Sequence, residues 1–250
     1  MPSELRIFAV TDIPEVRAGD DVGALIVDAL VGQGTPPVSG DVLVVTQKIV
    51  SKAEGRVVAL DAVEPSSFAL HIASLWEKDP RQVEVVLRES RRIVRMDHGV
   101  LICETRHGLV CANAGVDASN AAAGTVVLLP EDPDASAARI RDRVRDRSGA
   151  EVAVVVSDTF GRPWRNGLVN FAIGVAGMQA LEDYSGQRDP AGYELRVTQM
   201  CWPDELAAAA ELVMGKLDRA PAAVVRGLSW RPGDGRAREL VRDPEKDLFR

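Results

Sequence analysis

The sequence predicts a globular fold of mixed strands and helices, and three observations carry that prediction. Apolar runs rich in β-branched residues recur along the chain, as in LRIFAV, DVLVV, TVVLLP, EVAVVV and AAVVRG, and each gives way to polar or turn-forming residues. Segments with helical spacing of apolar positions and clear start signals lie between them, such as DDVGALIVDALV and PDELAAAAELVMGK. Hydrophobic residues make up 46% of the 250 residues, enough to fill one large core or two small ones.

Taken in order, residues 5–10 read as a strand, followed by the loop TDIPEV. DDVGALIVDALV reads as a helix with acidic residues in its first turn, where the helix dipole favours them. GQGTPP is a loop, and DVLVV is a strand that turns polar and basic at Thr46, Gln47, Lys48 and Lys52. Residues 66–92 read as helical with a break at Asp79-Pro80, because proline cannot continue the preceding turn. VLICET and GLVCAN form two strands around the turn Arg106-His107-Gly108. TVVLLP is a strand, and DPDASAARIRDRVRDRSG is an N-capped, charged helix expected to face solvent. EVAVVVSDT is a strand running into the arginine-rich turn GRPWRNG. NFAIGVAGM is apolar, with Gly174 and Gly177 suited to close backbone packing. ELRVTQM reads as a strand, PDELAAAAELVMGK as a helix and AAVVRG as a final strand. Residues 231–250 are polar and read as a loosely packed tail.

Composition excludes several classes. The formal charge is −7 with no long Lys/Arg stripe, which argues against nucleic-acid binding. An anionic ligand would need local cations, for which Lys48, Lys52, Arg56, Arg162 and Arg165 are the candidates. No apolar run is long enough to span a bilayer, and MPSELRIFAV lacks the pattern of a signal peptide, so a cytoplasmic protein is expected. Three cysteines without CxxC spacing disfavour a disulfide framework or a zinc knuckle, and Cys103 and Cys111 read as packing residues. His71, His98 and His107 form no metal-binding spacing and read as surface or turn residues. The usual glycine-rich phosphate cradles, GxxxxGK[ST] and GxGxxG, are absent.

Two stretches stand out, SDTFGRPWRNG and NAGVDASN. Each follows a strand and presents a carboxylate with a neighbouring hydroxyl or amide: Asp158 with Thr159, and Asp117 with Ser119 and Asn120. Such groups commonly initiate turns. They are also the hard oxygen donors that Mg²⁺ or Mn²⁺ requires, and arginines beside them can hold phosphate or carboxylate oxygens.

Several long stretches, in order, resemble one family, the coenzyme F-420 γ-glutamyl ligases. They are DVLVVTQKIVSKAEGR, HGLVCANAGVDASN, SDTFGRPWRNG, AIGVAG, DELAAAAELVMGK and AVVRG, and the resemblance runs from about Leu5 to the terminal DLF. It implies an α+β fold of mixed sheets with flanking helices, a single ligase domain over 1–250 that is divisible into two subdomains, and an intertwined homodimer. It further implies a GTP-dependent ligase that joins L-glutamate to the deazaflavin coenzyme F-420-0 through an acyl phosphate and extends the tail by γ-linkages. A nitroreductase-like domain, fused or separate, is an implied partner.

Roles carry over to matching positions. The resemblance makes Asp117 and Asp158 ligands of one Mg²⁺ or Mn²⁺, with Thr159 serving a second, and implies a K⁺ ion as well. It makes Ile13, Pro14, Glu15 and Val16, with Gln47, Lys52, Asn120 and Lys216, the nucleotide-binding set, and places Asp117, Asp158 and Lys52 at the chemistry. Arg162 and Arg165 are not carried over from the family: on their own chemistry they are assigned to the acceptor or glutamate carboxylates, with a structural salt bridge as an equal alternative. Two positions depart from the family pattern: Gln47 stands where relatives often have Ser, and Lys216 where some archaeal relatives have Gln. A lysine cannot supply a metal-binding oxygen. Two further readings stay open, a nucleotide- or deazaflavin-binding module without turnover and a metal-dependent phosphohydrolase.

Overall fold

A computed structural model describes residues 4–119 and 122–247. In chain order the elements are β1 (Arg6–Val10), α1 (Val22–Gly32), β2 (Val42–Thr46), α2 (Gln47–Ala53), β3 (Val57–Ala59), α3 (Ser67–Trp76), α4 (Pro80–Glu89), β4 (Ser90–Asp97), β5 (Val100–Thr105) and β6 (Val110–Ala112). There follow β7 (Thr125–Val127), α5 (Pro133–Ser148), β8 (Ala153–Arg162), β9 (Arg165–Ala176), β10 (Glu182–Asp183), β11 (Gln199–Met200), α6 (Trp202–Met214) and β12 (Ala222–Arg226). The class is α+β, as expected. Helix starts obey local chemistry: Asp21, Ser66, Asp79 and Asp132 each accept a backbone N–H of the turn they cap, and Pro80 and Pro133 occupy first-turn positions that need no donor.

The main sheet has the order β1-β12-β2-β8-β9, with β2 and β8 parallel and all other pairs antiparallel. Its central strands are apolar on both faces because both are covered. Leu43, Val45, Val154, Val156, Ala222 and Val224 pack toward α1, α2 and α5. Val42, Val44, Ala153, Val155, Ala223 and Val225 pack toward α6 on the other side. Residues 57–127 of the β2-to-β8 crossover hold a smaller core built from α3, α4, the β4-β5-β6 sheet and the β3-β7 pair, centred on Ile72, Val83, Leu101, Cys103 and Val126. Cys103 and Cys111 face one another in the β5–β6 register as buried free thiols, matching their expected packing role. None of the helices is long and apolar enough to cross a membrane among the described residues.

Four local expectations are corrected. The helical reading of 66–92 ends at Glu89, and the polar run SRRIVRMD is strand β4, held by pairing with β5 rather than by an apolar face. α5 is not simply a solvated helix, because Ala137, Ile140 and Val144 are buried in the main core. ELRVTQM contributes only the two-residue β11. The stretch after residue 230 is docked rather than loose: Met178 bridges Pro232, the Gly235 N–H bonds Met178 O at 3.1 Å, and Ala237 is buried with its N–H on Asp134 Oδ1 at 2.9 Å.

The close packing expected of Gly174 is seen directly. A Cβ there would lie 2.3 Å from the Pro133 carbonyl oxygen, which is backbone at the start of α5 and cannot swing aside. Gly174→Ala should therefore destabilise the fold by about 1–3 kcal/mol, the usual scale of overpacking. A urea midpoint equal to wild type would show that α5 can retreat from β9.

Candidate active site

The site gathers at the carboxyl ends of the parallel strands β2 and β8, a common place for ligand crevices in such sheets. Register pairs Thr46 with Ser157, so the end of β2 lies beside Asp158. The chain then enters α2, which carries Lys48 and Lys52. Asp117 arrives from the crossover, fixed by two backbone hydrogen bonds to Val127 of 3.0 and 2.8 Å. Asn113, Ala114 and Gly115 before it all have positive φ, a tight path that costs energy at the two non-glycine residues.

Lys48 Nζ sits among oxygens, 2.8 Å from Asp117 Oδ2, 2.8 Å from Ser119 Oγ and 3.2 Å from Ser119 O. Ser119 in turn donates its N–H and hydroxyl to the Asp117 carboxylate at 2.6 and 2.8 Å. Burial works to raise the Asp117 pKa, but the Lys48 and Ser119 hydrogen bonds outweigh it and hold the carboxyl below its ordinary value. Asp158 is different. Burial pushes its carboxyl up to about 6, the Asp117 charge adds to the rise, and the Thr159 backbone N–H, Lys48 and Lys216 only partly oppose it. The buried Cys111 thiol, beside Asp158, is pushed up to about 12, so it stays a neutral packing group.

Asp158 does not start a turn, as the sequence suggested. β8 continues through it to Arg162 and turns back only at Pro163-Trp164. Strand alternation therefore separates neighbours. Asp158 faces the Lys48 and Asp117 side, while Thr159 faces α6, where its hydroxyl donates to Asn170 Oδ1 at 2.7 Å. Asn170 Nδ2 donates to Glu211 Oε2 at 2.8 Å, and Lys216 Nζ donates to Thr159 Oγ1 at 2.6 Å. Lys216 Nζ also lies 3.7 Å from Glu211 Oε1, closing a four-residue ring. Asn170 and Glu211 had no signal in the sequence, being one amide in an apolar strand and one acid in a helix.

The other expected residues spread outward. Lys52 Nζ pairs with Glu15 Oε1 at 2.5 Å, which links α2 to the Ile13–Val16 loop; Pro14 and Glu15 of that loop are exposed and Val16 is buried. Gln47 is buried, and its side-chain oxygen accepts from Ser51 Oγ at 2.8 Å. Asn120 lies outside the described residues. Arg162 and Arg165 sit at the hairpin tip, roughly 13 Å beyond Asp158 at ~3.3 Å per strand residue. Arg162 donates to Asn166 O at 2.8 Å, and Arg165 is exposed. A cleft of about 510 Å³ between α1, α2 and α5 contains none of these groups, and two of its arginines are paired, Arg139 with Glu54 and Arg143 with Asp21.

Among the described residues no three His, Cys, Asp or Glu side chains gather around one point. Asp117 and Asp158 alone would hold a hard cation with phosphate oxygens and water completing its shell, a usual arrangement for Mg²⁺. The chemistry of the pair fits one such ion: both are hard carboxylate donors, Asp117 already accepts the Lys48 ammonium, and Asp158 has no ion-pair partner among the described residues.

The raised Asp158 carboxyl has a stability consequence in metal-free protein. Its folded pKa, about 6, exceeds the ordinary 3.8, so the ionised side chain opposes folding above pH 6 and is neutral in both states well below pH 4. With chelator present, Asp158→Asn should be more stable than wild type at pH 8 by on the order of 1–3 kcal/mol, and the difference should vanish as pH falls toward 3.5. Urea unfolding across that range checks it; a less stable variant at pH 8 would show the carboxylate to be well compensated.

The model of the family described as F420-0:Gamma-glutamyl ligase matches residues 11–227. The chain is 45% identical over 249 residues to the coenzyme F420:L-glutamate ligase of Methanothermobacter thermautotrophicus, covering 98% of this chain and 99% of that protein. It is 47% identical over 251 residues to the protein of the same name from Methanopyrus kandleri, covering 98% of each. It is also 40% identical over 240 residues to that of Methanocaldococcus jannaschii, covering 96% and 94%. With a single family model spanning both cores and nearly end-to-end relatives, the chain belongs to the F420-0:gamma-glutamyl ligase family.

Proposed function

We propose that the chain is a GTP-dependent ligase that adds L-glutamate to coenzyme F-420-0 and extends the tail by γ-linkages. The observation that carries this reading is the Asp117–Asp158 pair, with Lys48 held on Asp117, at the strand ends of a chain in this family. A Mg²⁺ or Mn²⁺ held by Asp117 and Asp158 would neutralise phosphate charge and orient the nucleotide.

The residues divide the remaining work. Lys52, released from the exposed Glu15, is a compact cation for a phosphate, and the Ile13–Val16 loop beside it lines the nucleotide. Gln47 braces α2 from inside through Ser51, so its part is to hold Lys48 and Lys52 in place. The acceptor carboxylate takes the γ-phosphoryl group of GTP, and GDP leaves. The glutamate amine then attacks the acyl carbon, phosphate departs and the amine gives up a proton, leaving a new amide bond. Arg162 and Arg165, at the hairpin tip, are placed for the outer carboxylates of the substrates rather than for the reacting centre. Trp164 and Leu168 are exposed at the same tip, an apolar surface that a second copy in a homodimer would cover.

A half-buried Asp158 beside a second carboxylate, with no ion-pair partner among the described residues, is the kind of perturbed group that favours turnover over passive binding. Mass spectrometry of F-420-0 incubated with the chain, GTP, L-glutamate and Mg²⁺ or Mn²⁺ tests the reading. A ladder of glutamate additions that requires GTP is expected. GTP loss that ignores glutamate would instead indicate a phosphohydrolase, and unchanged coenzyme a binding module. Asp158→Asn should lower the ligation rate on the order of 100-fold or more, the scale of losing one transition-state charge-stabilising group, without lowering the urea midpoint. Full activity in that variant would remove Asp158 from the chemistry.

A further inference from the structure

We infer that Lys216 is a built-in cation: its ammonium, seated on Thr159 by Asn170 and Glu211, fills the position that a second divalent ion would need, leaving Asp117 and Asp158 as the seat of one ion. This rests on the proposed ligase reading of that pair. The hydrogen-bond accounting around Thr159 is forced. An ammonium has only donors, so at 2.6 Å the Thr159 oxygen must accept from Lys216. The single hydroxyl proton is then committed to Asn170 Oδ1 at 2.7 Å. The Asn170 amide cannot flip without losing its 2.8 Å donation to Glu211, and at 2% exposure it is closed off from solvent that could replace that bond. Glu211 completes the seat with one oxygen on Asn170 and the other toward Lys216.

Nothing in this ring is left for a divalent ion. Such an ion would approach the Thr159 oxygen to about 2.1 Å, directly beside a fixed positive charge. The carboxylate of the ring is already shared between Asn170 and Lys216, and strand alternation turns the Asp158 side chain to the face of β8 opposite Thr159. The backbone holds Lys216 at this place. α6 ends at Met214, and Gly215 turns the chain with φ 59°, where a Cβ would meet Asp218 Oδ2 at 2.1 Å. The ammonium is therefore delivered by a tight turn, while the rest of the side chain stays largely in solvent. Asn170 and Glu211 are positioning residues: they fix the direction in which Thr159 presents its oxygen and hold the cation on it.

Counting ions tests this independently of activity. Mn²⁺ bound per chain would be measured by equilibrium dialysis with a non-hydrolysable GTP analogue, on protein shown folded by its melting curve. One ion is expected on wild type, none on Asp158→Asn, and two on Lys216→Gln, which keeps a polar end and removes the charge. Two ions on wild type, or one on both wild type and Lys216→Gln, would overturn the assignment of Lys216 while leaving the Asp117–Asp158 seat intact. An ion that survives in Asp158→Asn would also overturn it. No ion on any form would bring down the metal reading of the carboxylate pair itself, and the role of Lys216 with it.

Discussion

The parallel pairing of β2 with β8 is the constraint on which the rest depends. These two strands are apolar on both faces because helices cover both faces, and their register fixes which residues belong to which core. A slip of one residue would push Val154 and Val156 into the layer that Ala153 and Val155 now fill, and would move every other side chain of β8 across the sheet. The same register sets the site. Beyond the last pair, Thr46 with Ser157, one strand gives way to α2 with its lysines and the other extends to Asp158. Parallel strands cannot be joined by a tight turn, so a long crossover is unavoidable. This chain uses the crossover to carry a second core and to return Asp117, pinned through Val127 and the β3–β7 pair, to the same strand ends.

Much of this could be read from the sequence because it rests on local chemistry. Asp-Pro at residues 79–80 and 132–133 marks helix starts, where the acid caps free N–H groups and the proline needs none. The turn at Arg106–Gly108 separates two β-branched runs, and β5 and β6 pair around it. What could not be read rests on long-range pairing. β4 has no apolar alternation and is a strand only because β5 offers it a ladder, so SRRIVRMD passes for the end of a helix. Asp158 and Thr159 resemble turn formers locally, yet pairing with Phe171 and Asn170 on β9 keeps them extended. The docking of Ala237 under Asp134 depends on a contact 103 residues back in sequence and leaves no mark in a polar stretch.

The ion pairs of the molecule separate into two kinds, and the difference explains how an acidic chain can present cations to an anionic ligand. Asp41 is fully buried, holds Arg226 through two hydrogen bonds of 2.8 Å and also accepts the Val38 N–H at 3.0 Å. Breaking that pair would strand a buried charge, so it locks the end of β12 to the start of β2. At the site, Lys52 is matched with a Glu15 side chain that is 77% exposed, and Lys48 with an Asp117 side chain that is 38% exposed. The lysines themselves are only 18% and 22% exposed, so each pair is open to solvent mainly on its carboxylate side. The pairs keep the lysines ordered, and under the proposed reading a phosphate would replace the Glu15 carboxylate, whose exposed end would be hydrated on release. The charge pair that builds the fold is thus buried on its acidic side and multiply bonded, whereas the lysines of the candidate site rest on carboxylates that reach solvent. Asp158 belongs to neither kind. It is a half-buried carboxylate with no ion-pair partner of its own among the described residues, a gap that the divalent ion proposed between it and Asp117 would fill.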